Sequence, residues 1–230
     1  MCQSILIVSA TKIECEPTLN KLCDIKTISS NLFSGIIQGQ SVEVLISGIG
    51  SVSTTFRLTQ TLMQRSYCGV ISIGIAGSFA QGVEICETVQ IIEDCFADLG
   101  VDDNGQFRTL HEERLTYGDY DHGFMNNTTP VVSSHRRLRG ITVQTSSGSN
   151  QRIEELVERF QPDVETMENA AFFYVCNKMN VPFASFRAIS NKVEARNRHK
   201  WRVEQAIANV NEIEFGNLFR LSTQKVCCTN

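Results

Sequence analysis

Apolar residues fall along the chain in short runs separated by stretches of helical spacing. Ser4–Ser9 (SILIVS) predicts a first strand, followed by a helix through Leu22. Val42–Ser47 predicts a partly alternating strand, then a turn, Ser47-Gly-Ile-Gly50, and a helix from about Ser51 to Gln64. Gly69–Ile75 (GVISIGI) is continuously apolar, as expected of a central strand covered on both faces. Glu87–Glu93 and Gly140–Thr145 read as further strands, and the polar, turn-rich stretch between Asp94 and Pro130 predicts no order of elements. Ile153, Leu156, Val157 and Phe160 share a helix face behind a cap at Ser149 or Asn150. Met167, Ala170, Ala171, Tyr174, Val175 and Lys178 mark the next helix, Pro182–Ile189 a strand, and Val203, Ala206, Ile207, Val210 and Ile213 a last helix. Strands alternating with helices predict an α/β sheet covered on both sides. There is no internal repeat, low-complexity segment or linker, so one domain over 1–230 is expected, with 223–230 a frayed tail.

Composition narrows the class. The chain has 230 residues, 42% hydrophobic and 20% charged, with a mean hydropathy of −0.10. These values exclude a disordered or fibrous chain. A net charge of −4 disfavours a nucleic-acid binder. No run approaches the roughly 18 apolar residues of a membrane span, and the first residues read as a strand rather than a signal peptide. A cytoplasmic protein without membrane or nucleic-acid partners is expected. None of the nine cysteines forms a C-x-x-C pair and the four histidines are scattered, which predicts buried free thiols and no metal.

In open α/β sheets, ligands collect beyond the carboxyl ends of strands. Those ends are followed here by Ala10-Thr11 and Glu14, by SGIG (47–50), by GIAGS (74–78), by SSGS (146–149) and by Ser190-Asn191. Small residues there let backbone approach a ligand. GIGSVS lacks the third glycine of a dinucleotide fingerprint, and neither G-K-[ST] nor G-x-S-x-G occurs.

The most specific stretch is PDVETMENAAFFYVCNKMNVPFASFRAIS, 162–190. A V-E-x-M-E-x-A-A helix before a V-P-F strand ending in R-x-I-S resembles the purine nucleoside phosphorylase and nucleosidase superfamily. Glu14, SGIG, GIAG and S-G-S extend the resemblance over most of the chain except 95–135. Within it, E-x-x-P at 14–17, VETME at 164–168 and S-N-x-V-E-x-R-x-R-x-x-W at 190–201 resemble the hydrolytic branch of methylthioadenosine/S-adenosylhomocysteine nucleosidases, and most of all the futalosine hydrolases of menaquinone biosynthesis. The resemblance implies a three-layer α/β/α sandwich with a mixed central sheet, no cofactor, and a homo-oligomer in which a neighbour covers the 5′ tail of a nucleoside substrate.

It also implies roles. Glu168 would hold the ribose hydroxyls, with Met167 beneath the sugar, and Glu14 would activate water, Glu16 being the neighbouring alternative. Glu165 would bond the same water or satisfy free backbone N–H groups. Ile75, Ala76 and Gly77 would line the substrate. Asn191 stands where adenosine-type relatives carry aspartate. A carboxamide can donate to a purine O6 while its oxygen faces a protonated N7, which points to a 6-oxopurine. Where relatives place an aromatic on the base, this chain has Thr145 and Ser146, leaving Phe172 or Phe173 to cover it. Arg196, Arg198, Lys200 and Trp201 either read a carboxylated aryl tail or form a solvated loop. No arginine adjoins SGIG, GIAGS or SSGS, with Arg57 about two turns into its helix, so water rather than phosphate is the expected nucleophile. The expected reaction is hydrolysis of futalosine to hypoxanthine. The alternatives are cleavage of methylthioadenosine/S-adenosylhomocysteine, aminofutalosine or inosine, by water or phosphate, and an inactive nucleoside-binding protein.

Overall fold

The computed structural model describes residues 4–115, 123–127, 133–215 and 218–219. In chain order the elements are β1 (Ser4–Ser9), α1 (Lys12–Asn20), β2 (Cys23–Ser29), β3 (Leu32–Ile37), β4 (Gln40–Ile46), α2 (Ser51–Gln64), β5 (Gly69–Ser78), β6 (Thr88–Asp94), β7 (Gly100–Asp103), β8 (Gln106–Thr109), β9 (Met125–Asn126), β10 (Arg137–Thr142), α3 (Asn150–Phe160), β11 (Val164–Thr166), α4 (Asn169–Lys178), β12 (Phe183–Lys192) and α5 (Val203–Val210). The main sheet runs β11-β10-β6-β12-β5-β1-β4-β3-β2, with β9 added to β6. It is mixed: β4, β1, β5 and β12 are parallel, and β6 is antiparallel to β12. β11 pairs with both β10 and β5, so those five strands close on themselves.

The apolar runs have their cause in the two covered faces. Leu6 and Val8 of β1 enter one core with Leu58, Leu62, Phe172 and Phe173, from α2 and α4. Ile5 and Ile7 enter the opposite core with Cys15, Leu19, Ala206 and Val210, from α1 and α5. Both faces of the strand must therefore be apolar. Leu156 and Phe160 of α3 close a third cluster against Ile141.

Several expectations are corrected. The hairpin β2–β3 occupies a stretch for which the sequence predicted no element, and its outer strand is exposed throughout. The first helix ends at Asn20 and the last at Val210, with Ile213 still buried beyond it. Met167 and Glu168 precede α4, because β11 takes up the residues before them. The turn-rich segment forms the β7–β8 hairpin. Cys227, Cys228 and the expected frayed tail lie outside the described residues.

Candidate active site

Because β1, β4, β5 and β12 run parallel, their carboxyl ends share one edge of the sheet. A cavity of about 420 Å³ opens there, lined by residues from each of those ends and from β11. A larger hollow of about 640 Å³ lies between the β7–β8 hairpin and α3, away from this edge.

Glu14 enters from the first turn of α1. Thr11 caps that helix and closes a capping box with Glu14. The Thr11 N–H and hydroxyl donate to Glu14 Oε2 at 3.1 and 2.8 Å, and the Ile75 N–H donates to Oε1 at 3.2 Å. The carboxylate is thus fixed between helix start and central strand. Gly74 is what permits this. A Cβ there would lie 2.9 Å from Glu14 Oε1.

Glu168 enters from the other side. The Gly50 N–H, at the start of α2, donates to its Oε1 at 2.8 Å. Gly48 and Gly50 both have positive φ (87° and 86°), so the SGIG turn aims that amide at the carboxylate through a backbone that glycine adopts readily. Burial raises the pKa of Glu168, opposed by the Gly50 bond and the Arg187 charge and reinforced by Glu14.

Glu165 pairs with Gly77 across the β11–β5 ladder and accepts from the Ser147 N–H at 2.9 Å. It is 6% exposed, and burial raises its pKa. Its Oε2 and the Ser147 hydroxyl have no hydrogen-bond partner among the described residues, and both residues line the cavity. Glu16 is not among the lining residues.

Asn191 faces Gly77 from the other flank, just past a bulge in β12. Its Oδ1 accepts from Ser190 Oγ at 2.7 Å and its Nδ2 donates to Lys192 O at 2.9 Å. A carboxamide carries two lone pairs and two N–H groups, so one of each stays free for a ligand. Beyond it the chain folds back, with Arg202 N–H donating to Ser190 O at 2.8 Å. This brings Trp201 and Arg196 to the cavity wall, the Arg196 guanidinium 5.3 Å from the Trp201 ring centre.

Of the residues expected at a site, Glu14, Glu165, Met167, Glu168, Ile75, Ala76, Gly77, Ser146, Asn191, Arg196 and Trp201 line this one cavity. Two do not. Phe172 is 1% exposed and packs edge-on against Phe173 and Phe183 in the core, because α4 turns that face toward the sheet. Arg198 sits in a short 3-10 turn, its guanidinium 6.0 Å from the Trp201 ring but off the cavity wall. Lys200 is paired with Glu194 at 2.8 Å. Against expectation an arginine does adjoin SGIG: Arg57 folds back to donate to Ile46 O at 3.2 Å, and a Cβ on Gly48 would lie 3.1 Å from its Nη1, although Arg57 does not line the cavity. Among the described lining residues, Arg196 is the one arginine and Trp201 the one aromatic.

Sequence reasoning noted Thr11, Ile49 and Ser147 only as parts of strand-end segments and Val193 only within a motif, with no role of their own, and did not note Ile13. It also missed the buried set of Asp94, Asn169 and Arg187 behind the cavity. Thr11, three residues before Glu14, carried a readable capping signal. No group of three or more potential metal ligands occurs among the described residues, and none of their helices is long and apolar enough to cross a membrane.

The family model described as "Phosphorylase superfamily" matches residues 4–216. A futalosine hydrolase of Thermus thermophilus is 26% identical over 179 residues, 75% of this chain and 79% of that protein. A 5′-methylthioadenosine/S-adenosylhomocysteine nucleosidase of Haemophilus influenzae is also 26% identical, over 207 residues, covering 80% and 84%. The native structure of futalosine hydrolase from Helicobacter pylori superposes with a TM-score of 0.76 at 20% identity, covering 92% of this chain and 95% of that one.

Proposed function

This chain belongs to the phosphorylase superfamily and is an N-glycosyl nucleosidase, and we propose that its substrate is futalosine, cleaved by water to hypoxanthine and the base-free sugar. The observation that carries the reading is the convergence on one cavity of Glu14, Glu168 and Asn191, each held by named hydrogen bonds.

Departure of the base leaves positive charge on the sugar, and water is a weak nucleophile. Glu14, pinned by Thr11 and Ile75, is the base that takes a proton from it. Glu168 keeps Oε2 for the ribose hydroxyls while Gly50 holds Oε1. Asn191 cannot supply a strong acid. Its free N–H donates to O6 and its free lone pair faces N7–H of the departing 6-oxopurine. Two features favour water over phosphate and a carboxylated tail over a thioether. Arg196 is the one cation on the described wall, and its guanidinium lies over the Trp201 ring. The same charge, with Trp201, suits the benzoate of futalosine.

A second copy of the chain completes the tail end of the cavity. Val52, Phe56 and Met63 form an exposed stripe on α2, at 80%, 65% and 75% exposure. Ile13 and Ile49, which line the cavity, are also exposed. Such a patch marks an association surface.

Incubation with futalosine, with and without phosphate, tests the reading. Hypoxanthine and free sugar at equal rates are expected. A sugar 1-phosphate would make the protein a phosphorylase.

A further inference from the structure

Behind the cavity wall lies a set of buried polar side chains. Asp94, at the end of β6, accepts from Thr142 Oγ1 at 2.8 Å and from Asn169 Nδ2 at 2.9 Å. Asn169, the first residue of α4, turns its Oδ1 the other way, accepting from Ser185 Oγ at 2.5 Å and from Arg187 Nη2 at 3.3 Å. Arg187 of β12 also donates to Ser72 Oγ and to the Phe186 carbonyl at 3.0 and 2.8 Å. Asp94 and Asn169 are wholly buried and Arg187 nearly so.

These bonds run through Nη1 and Nη2, which leaves Nε facing forward. A Cβ built on Gly74 would be 3.7 Å from Arg187 Nε and 2.9 Å from Glu14 Oε1, so the guanidinium and the carboxylate lie near the same side of Gly74 without a direct ion pair. The charged groups facing Arg187 are Glu168 before α4, Glu14 from α1 and Asp94 from β6. Arg139 of β10 is engaged by Glu93 at 2.6 Å.

We propose that Asp94 is a positioning residue for the hydrolytic step: by favouring one orientation of the Asn169 amide, it holds the Arg187 guanidinium on the side of Gly74 where the Glu14 carboxylate lies. The chain of logic is the polarity of Asn169. An amide can be flipped end for end, and the acceptor at Asp94 together with the donors Arg187 and Ser185 favours the orientation that presents its oxygen to Arg187. Flipped, it would set N–H groups against the guanidinium, an opposition that a dry interior penalises. An ionised Asp94 also gives the buried guanidinium a counter-charge. Burial pushes the Asp94 carboxyl up to about 7, with Asn169, Thr142 and Arg187 opposing, so the relay titrates in the physiological range.

The inference rests on the nucleosidase reading, and the test separates the two. Base release is followed from pH 5 to 9 with the nucleoside that the wild-type protein cleaves best. Wild type should gain kcat through a limb near pH 7. Asp94→Asn should lose that limb and fall about ten- to a hundredfold in kcat at pH 8, with KM little changed. The exchange Asp94→Asn/Asn169→Asp keeps one carboxylate and one amide and restores the polarity toward Arg187, so it should recover most of the loss. Thr142→Val removes one donor to Asp94 and should move the limb to higher pH, a readout that survives if Asp94→Asn fails to fold. An unchanged kcat profile in Asp94→Asn, or an unmoved limb in Thr142→Val, overturns the proposal while wild-type turnover leaves the nucleosidase reading standing. A wild-type protein that releases no base from any nucleoside overturns both.

Discussion

The Ile75 N–H donates to Glu14 Oε1 at 3.2 Å, joining a residue of the central strand to the first turn of the helix that follows the neighbouring strand. It ties the proposed base to β5, which is paired with β12 from Val70 to Ser78 and with β1 from Gly69 to Ser72. Glu14→Gln should therefore cost about two to four orders of magnitude in kcat while still binding hypoxanthine, measured by base release and by titration with the base. Near-wild-type turnover would move the role to another carboxylate, Glu165 first.

Gly74→Ala tests the same geometry without removing the carboxylate. The new methyl would come within 2.9 Å of Glu14 Oε1, the end of a flexible side chain, so the carboxylate yields rather than the strand. A fall in kcat of at least about tenfold with a nearly unchanged melting temperature is expected, since a misplacement of an ångström is costly to catalysis. A variant that unfolds, or that keeps full activity, contradicts this placement.

How much of this was legible in the sequence follows from local physics. β1 and β5 announce themselves because both faces are buried, and the ends of those strands carry small residues followed by Glu14 or Gly77. β2 gave no such signal: Cys23–Ser29 is exposed along its whole length, so nothing forces its pattern to alternate. β11, three residues long, is too short to show any period. Its presence moved Met167 and Glu168 off the helix. Phe172 and Phe173 look alike in sequence, and only the packing of α4 shows both to be core. The Asp94–Asn169–Arg187 set joins residues 75 and 18 apart, a partnership that no local pattern encodes.

The loop beyond Asn191 makes a differential prediction. Arg196 lines the cavity and Arg198 does not. Arg196→Ala should raise KM for futalosine about ten- to a hundredfold, the worth of a charge-assisted contact of roughly 1.5–3 kcal/mol, and leave inosine little affected. Arg198→Ala should change neither by more than a few-fold. Equal effects of Arg196→Ala on both substrates would make the loop structural.

Stability should fall as pH rises. Burial raises the carboxyl pKa of Asp94, Glu165 and Glu168, so the folded state keeps protons that the unfolded state has already released. Their contribution is fully present below the unfolded carboxyl range near 4 and is lost as pH climbs toward the folded values, about 7 for Asp94. Urea midpoints should be lower at pH 8 than at pH 5, and Glu165→Gln should narrow the difference. The same difference in both proteins would contradict the assignment for Glu165.

Asn191 carries the choice of base. Its remaining N–H suits O6 and opposes an exocyclic amine, a mismatch of roughly 1–3 kcal/mol in a dry site. Asn191→Asp should narrow or reverse the preference for 6-oxo over 6-amino nucleosides. A preference that survives the substitution would place base reading elsewhere, with Ser146, Ser147, Glu165 and Ser190 among the other polar residues lining the cavity.

The most direct measurement is the ratio of kcat/KM for futalosine to that for methylthioadenosine, with the released bases separated by chromatography. The account predicts futalosine favoured by at least about tenfold, because both Asn191 and Arg196 act in its favour. A ratio at or below one would contradict it and assign the protein to the cleavage of adenosine thioethers.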